Sequence, residues 1–403
     1  SYLYIKKLRF MSQYCKLLMV TSENNNKFYI MEEKNGTLHI EYGRVDSTSV
    51  KLTKPLSEWS KLYREKTKKG YKDVTHLVTE KVVDDIQEVD EVLAKLDEAK
   101  VNAFLDLMQK YTDGLVKTTY SVTYKSVTVE QVKKAQMILD EFDKLDKKNE
   151  KVINEKLLEL YTVIPRRMER VQNYLLPVLD LDKTLEKEQD NIDAMSAKVQ
   201  MYEQEKANSK DNKDKPVKVK QTVLDVLGLK SMTEIKSNKD LDYLVNQVGG
   251  RTKIEGIFEL EKPSESNSFD NWIGKQKNTQ TRTLIHGTRC SSVLSILKQG
   301  LKIRPSGNFQ FSGKVYGNGN YFSEVVQKSL GYTGYDNDKI LLVYEVHTGN
   351  PFIYDGWYRG NSFTLDYKNL QQRGFDSTYV KAGGGLSNSE IIAYSEQQCR
   401  IKY

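Results

Sequence analysis

The stretch NGNYFSEVVQKSLGY, residues 318–332, gathers residue types that no single structural role requires. Gly317 gives backbone freedom just before the aromatic pair Tyr321 and Phe322; Lys328 and Ser329 follow, and Tyr332 closes the run. A core strand has no use for the lysine and serine, and a surface loop has none for the rings. The grouping therefore raises the question of a ligand.

A second candidate lies upstream in TLIHGTRCSSVLSILKQGLKIRP, residues 283–305. Leu284 and Ile285 read as the end of a strand, with His286 and Gly287 where it stops. An imidazole and a backbone-exposing glycine there are well placed to hold a polar ligand, although the histidine alone equally admits a structural reading. The spacing predicts a helix capped by Ser291, with Val293, Leu294 and Leu297 on one face and Gly300 at its end. The glycines of GNGNYF do not make a dinucleotide fingerprint, which needs a third glycine opening a long helix after a strand. They read as letting the backbone bend close to a ligand. Glu390 opens the apolar run IIAY near the C-terminal end of the sequence, where a solvated glutamate at a strand start is the plain alternative to a chemical role.

The elements that must position these residues follow from patterning. The 403 residues are too many for one ordinary domain. Residues 1–80 read as β-rich, with turns at ENNNK and at KNGT, whose Asn-Gly pair favours a tight hairpin. Leu56, Trp59, Leu62 and Tyr63 then share a helical face that closes in the basic cluster Lys66–Lys72. From about 85 to 210 the pattern is helical. Val89, Leu93 and Leu96 form a stripe that Val101, Phe104 and Met108 continue. Thr128 with Gln131 makes a capping box ahead of Val132, Ala135, Leu139 and Phe142. A further helix stops at Pro165, and two more are expected around 168–180 and 184–206. The charged run 208–220 reads as a linker, and the remainder as mixed α+β with short helices.

Composition sets limits. No run of about 18 apolar residues exists, so no membrane span is expected, and SYLYIKKLRF does not read as a secretory leader. Three scattered cysteines and four scattered histidines suggest neither a disulfide framework nor a metal site, so an intracellular, metal-free protein is expected. Of the net charge of +7, most falls in residues 1–80, where 15 Lys/Arg stand against 9 Asp/Glu. A basic N-terminal module suits a polyanion such as nucleic acid, or simply a solvated surface.

The ordered set HGT, GNGNYF, KSLGY and SEIIAY resembles the catalytic domain of the poly(ADP-ribose) polymerases, ADP-ribosyltransferases of the His-Tyr-Glu type. LLELYTVIPRRM is similar to part of the helical regulatory domain that precedes it in DNA-dependent members. IEYGRVDSTSV with LYREKTKKGYK is similar to a WGR domain, with Tyr42 in place of the usual tryptophan. The resemblance implies an α+β multidomain chain. A β-rich WGR DNA-binding domain would span 1–85 and an all-α helical regulatory domain 86–216. A mixed α+β transferase domain with antiparallel sheets would span 217–403.

It also implies roles. NAD+ would be the substrate, with no metal. His286 would bond the adenine-side ribose, and Gly287 and Ser329 the nicotinamide carboxamide. Tyr332 would stack on the pyridinium, Tyr321 would close the pocket beside Phe322, and Lys328 would lie at its edge. Glu390, with His286 and Tyr321, would carry catalysis. Lys302, where the family often has arginine, and Arg304 would meet the adenosine phosphates. Arg44, Lys66, Lys68, Lys69 and Lys72 would contact DNA phosphate, with Tyr42 or Tyr71 packing at an exposed terminus; Arg44 serves equally as a contact between domains.

The implied function is DNA-break-stimulated transfer of mono- or poly(ADP-ribose) to proteins, itself included, with release of nicotinamide, in a DNA damage response. The helical domain would act as a brake that DNA relieves. The alternatives are modification of nucleic-acid ends and a catalytically silent DNA-binding scaffold. An accessory factor that completes the site would be a further partner. The compartment would be nuclear in a eukaryote and cytoplasmic for a bacterial or phage-encoded chain.

Overall fold

Alternation of apolar and polar residues in the first segment builds a five-stranded antiparallel sheet. In the computed structural model the described residues are 13–77, 93–213, 221–236, 238–239, 241–248, 253–304, 315–354, 364–383 and 386–403. Val89 of the expected stripe and residues 214–220 of the expected linker lie outside them. Residues 1–89 and 116–188 form one compact unit, and residues 90–115 and 189–403 a second.

In the first unit, β1 (Tyr14–Thr21), β2 (Asn25–Lys34), β3 (Thr37–Arg44), β4 (Val50–Pro55) and β5 (Lys72–Asp73) are ordered β4-β3-β2-β1-β5. Asn35 and Gly36 both take positive φ, 53° and 76°, as the tight hairpin between β2 and β3 requires. Leu17, Met31, Leu38 and Ile40 are buried with Leu62 of helix α1 (Trp59–Lys68), and Trp59 and Tyr63 pack against them.

Helix α2 (Ala99–Thr119) contributes to both units; α3 (Val129–Glu141) and α4 (Glu150–Val163) belong to the first. The capping box is present: Gln131 N–H donates to Thr128 Oγ1 at 3.1 Å, and Thr128 N–H to Gln131 Oε1 at 3.0 Å. Val132, Ala135, Leu139 and Phe142 are all buried. α4 ends two residues before Pro165, and the next long helix is α5 (Leu181–Lys213).

The helix expected over 168–180 is not there; one 3-10 turn, Val171–Tyr174, replaces it ahead of Pro177. The backbone groups that a helix would pair internally are bonded elsewhere. Arg44 donates to the carbonyls of Met168 and Glu169 at 3.2 and 2.9 Å, and Val171 N–H donates to Asn24 Oδ1 at 3.0 Å. Proline then bars its predecessor from helical geometry. The expected linker is also shorter than anticipated, because α5 runs on to Lys213.

In the second unit, a hairpin of β6 (Ser231–Ile235) and β7 (Ile257–Glu261) flanks helix α6 (Asp242–Val248) in the chain. β8 (Thr281–Thr288) leads into α7 (Cys290–Gln299), and β9 (Asn320–Phe322) into α8 (Val326–Leu330). β10 (Ile340–His347), β11 (Pro351–Tyr354), β12 (Ser377–Val380), β13 (Glu390–Ala393) and β14 (Cys399–Ile401) complete two sheets, β14-β10-β8 and β11-β12-β13-β9. The pairing is antiparallel except for β11 with β12. Leu284, Val293, Leu294, Leu297, Phe322 and Ile391 share a core with Val101, Leu105 and Met108 of α2 and Met201 of α5.

Two local expectations are corrected. His286 and Gly287 lie inside β8, paired with Leu342 and Leu341, rather than beyond its end. Ser291 does not cap α7; Arg289 holds that position without a side-chain cap bond, while the Ser291 carbonyl accepts from Thr112 Oγ1 at 3.1 Å. Gly300 does end the helix, with φ 82°.

Candidate active site

Strand pairing decides which backbone groups are offered to a ligand. Ile285 and Ser323 exchange two backbone hydrogen bonds, each 2.9 Å, across the neighbouring edges of the two sheets. Because alternate residues of a strand direct their N–H and C=O to the same edge, those of Gly287 point where Ile285's do, past the end of that bridge. A side chain at 287 would obstruct the spot: its Cβ would fall 1.8 Å from the Ser329 carbonyl oxygen.

One cleft brings together His286, Gly287, Tyr321, Phe322, Lys328, Ser329, Tyr332 and Glu390, and Ile285 and Ser323 complete its lining. His286 Nδ1 lies 3.0 Å from the Tyr321 carbonyl oxygen, so Nδ1 carries the proton. Burial lowers the imidazole pKa against the opposing pull of that carbonyl. The ring is therefore neutral, and Nε2 is an acceptor.

Glu390 opens β13 and is buried. Its Oε1 takes both an ion pair from Lys328 Nζ at 2.8 Å and a hydrogen bond from the Tyr332 hydroxyl at 3.2 Å. Burial works against the charged Lys328, but the carboxylate outweighs it and holds the ammonium pKa above its ordinary value. Burial first, and then the same carboxylate, push the Tyr332 phenol up. The Tyr332 ring stays about half exposed, at 47%. The Tyr321 hydroxyl donates to Gly317 O at 2.8 Å and accepts from Tyr316 N–H at 3.0 Å, so this tyrosine offers the cleft its ring.

The glycines of GNGNYF answer to the protein rather than to a ligand. A Cβ at Gly317 would meet Leu365 O at 2.1 Å, and one at Gly319 would meet Ala393 O at 2.6 Å. Gln247 of α6 carries no sequence signal yet brackets the start of α8. Its Nε2 donates to Glu324 O at 2.9 Å, and its Oε1 accepts from Val326 N–H at 3.0 Å. It thereby fixes the helix that carries Lys328 and Ser329.

Lys302 and Arg304 do not join the cleft. Lys302 Nζ pairs with Glu396 at 2.7 Å, and Arg304 with Asp193 of α5 at 3.0 Å. Arg289 pairs with Asp190, one turn before Asp193, at 2.7 Å. Burial pushes the Asp193 carboxyl up to about 6 against the pull of Arg304.

In the first unit, Lys68, Lys69 and Lys72 are exposed. Lys66 is not: its ammonium sits 4.0 Å from the Tyr29 ring centroid, 5.6 Å from Tyr42 and 5.5 Å from Tyr71. Burial, then Lys69, lowers its pKa. Tyr42 and Tyr71 thus wall a cation site that the chain itself fills. Arg44 takes the intramolecular option, bonding Asn24 as well as the carbonyls of Met168 and Glu169.

The cleft thus brings together a neutral histidine acceptor, an outward-facing glycine edge, aromatic rings and a buried carboxylate held by Lys328 and Tyr332. Comparison with known proteins gives the family. Residues 241–403 match the poly(ADP-ribose) polymerase catalytic domain, and residues 13–77 the WGR domain. The putative poly [ADP-ribose] polymerase-like 100L of Invertebrate iridescent virus 6 is 54% identical over 169 residues, 42% of this chain and 93% of that protein. The uncharacterized protein 101L of the same virus is 40% identical over 191 residues, 47% of this chain and 79% of that one. The protein mono-ADP-ribosyltransferase PARP3 of Gallus gallus is 28% identical over 202 residues, 40% of this chain and 35% of that one. The chain belongs to the poly(ADP-ribose) polymerase family and carries a WGR domain. It is an NAD+ ADP-ribosyltransferase.

Proposed function

We propose that this transferase is switched on by DNA strand breaks and modifies protein side chains, its own included, as a responder to DNA damage. The observation that carries the catalytic part is the Glu390 carboxylate, anchored by Lys328 and Tyr332 in the cleft that also holds His286 and Gly287.

In this reading the Gly287 N–H and C=O and the Ser329 hydroxyl clamp the nicotinamide carboxamide. The pyridinium stacks on Tyr332, a contact of roughly 0.5–2 kcal/mol, and Tyr321 and Phe322 close the other side. His286 Nε2 accepts from a hydroxyl of the adenine-side ribose. Cleavage of the nicotinamide–ribose bond passes through an oxocarbenium-like state, and Glu390 stabilises the growing charge through the ribose 2′-hydroxyl while orienting the acceptor. Lys302 and Arg304 reach adenosine phosphates only after leaving Glu396 and Asp193.

The WGR domain, residues 1–85 in this division, meets DNA phosphate through Lys68, Lys69 and Lys72. The helices within 86–216 restrain the transferase domain, 217–403, until DNA engages. With DNA as activator, the protein works where that DNA is, the nucleus in a eukaryotic cell.

The test is nicotinamide release from NAD+ by the full chain, with and without a nicked duplex, alongside Glu390→Gln. Stimulation by nicked but not intact circular DNA, together with loss in Glu390→Gln, is expected. Equal rates with and without DNA would remove the break-sensing role. Labelled NAD+ with protein or DNA as acceptor separates side-chain transfer from modification of nucleic-acid ends.

A further inference from the structure

We propose that Ser323 is a positioning residue that sets Glu390 relative to His286 across the cleft. The β9–β13 ladder pairs Tyr321 with Ile392 and Phe322 with Ile391. One more step in that register would set Ser323 opposite Glu390. By the alternation of the strand, Ser323, like Tyr321, turns both its N–H and its C=O away from β13 and to β8, where Ile285, the residue before His286, takes them. The tie from Ser323 to the β13 side is made by its side chain, whose Oγ donates to the Ser389 carbonyl at 3.2 Å. The same Oγ accepts from Val325 N–H at 3.0 Å, at the start of α8.

One buried hydroxyl, on a residue 3% exposed, thus stands a single residue away from three parts of the site. Ile285 adjoins His286, Ser389 adjoins Glu390, and Val325 adjoins the helix bearing Lys328 and Ser329. Alanine at 323 keeps the backbone bridge to Ile285 but leaves two half-buried backbone groups, Ser389 C=O and Val325 N–H, without this partner, so β13 loses its tie where Glu390 begins. A carboxylate displaced by about 1 Å costs on the order of 10- to 100-fold in turnover. Binding of NAD+ is little affected, because His286 and Gly287 keep their strand and Gln247 still holds the start of α8 through Glu324 O and Val326 N–H.

The inference rests on Glu390 as the carboxylate that stabilises the transition state, so Glu390→Gln is measured alongside. In steady-state nicotinamide release by the full chain, Ser323→Ala is expected to lower kcat at least about tenfold with KM within about twofold. Ser323→Thr, which keeps the hydroxyl, restores kcat to within about threefold of the parent. If Ser323→Ala does not fold, Ser323→Cys takes its place with the same expected split, since a thiol is a poor substitute for the hydroxyl in both bonds. Unchanged kcat, a change confined to KM, or threonine no better than alanine would overturn the inference while leaving the site intact. Retained activity in Glu390→Gln would instead overturn the reading of the site on which it rests.

Discussion

Lys328 and Glu390 form an ion pair of 2.8 Å at the floor of the cleft, their side chains only 17% and 6% exposed. At that burial, removing one partner strands the other as an uncompensated charge. Lys328→Met is expected to destabilise the transferase by about 3 kcal/mol, and adding Glu390→Gln to restore part of the loss. Chemical denaturation of the two single variants and the double variant checks this. The raised lysine pKa means that the lysine's share of this stabilisation is full below about pH 10 and is lost as pH climbs above it.

Gly287→Ala tests the close approach of β8 to α8. The added Cβ would meet the Ser329 carbonyl oxygen at 1.8 Å and its carbonyl carbon at 2.7 Å, both backbone atoms that cannot swing aside. Activity should fall below a hundredth of the parent, with a lower melting temperature. A variant with parental KM would show that the strand and helix can part.

Asp190→Asn combined with Asp193→Asn loosens α5 from Arg289 and Arg304. Each partly exposed pair is worth about 0.5–1 kcal/mol, so nicotinamide release without DNA is expected to rise about fivefold while the DNA-stimulated rate stays put. A fall in both rates would mean that these contacts support the site rather than restrain it.

Asp193 also predicts a pH dependence. Its folded carboxyl titrates near 6, above its ordinary 3.8. A raised acid favours the folded state while protonated, and that advantage is lost as pH rises through about 6. Relative to Asp193→Asn, the parent should lose melting temperature between about pH 4 and 6, then run parallel above it.

Salt dependence of DNA binding separates the lysines of the WGR domain. Replacing Lys68, Lys69 or Lys72 with alanine should lower affinity and flatten the slope of log K against log salt by up to about 0.9 each. Lys66→Ala should leave that slope alone and lower stability, because its ammonium is enclosed by Tyr29, Tyr42 and Tyr71.

Features set by local chemistry were legible in the sequence. The Thr128–Gln131 box, the Asn35–Gly36 turn and the stop before Pro165 all depend on neighbours a few positions away, while the cleft residues in HGT, GNGNYF and KSLGY were legible as motifs in a familiar order. What escaped depends on partners far along the chain. The ion pairs of Arg304 and Lys302 escaped because their carboxylates, Asp193 and Glu396, lie 111 and 94 positions distant. The span 168–180 has the composition of a helix, but Arg44 and Asn24, more than a hundred residues earlier, claim its backbone, as do Asn154 and Tyr161. Ser323 and Gln247 are ordinary polar residues in sequence. Their significance lies in which backbone groups they reach.

Both anchoring bonds on Glu390 land on Oε1, which divides the carboxylate into a tethered half and a working half. Lys328 and Tyr332 are donors, so a glutamine at this position must turn its oxygen toward them and its NH2 the other way, toward the ribose of the proposed complex. The change to glutamine therefore does more than remove a charge. It reverses the polarity of the reacting edge from acceptor to donor, while the anchored edge keeps its partners.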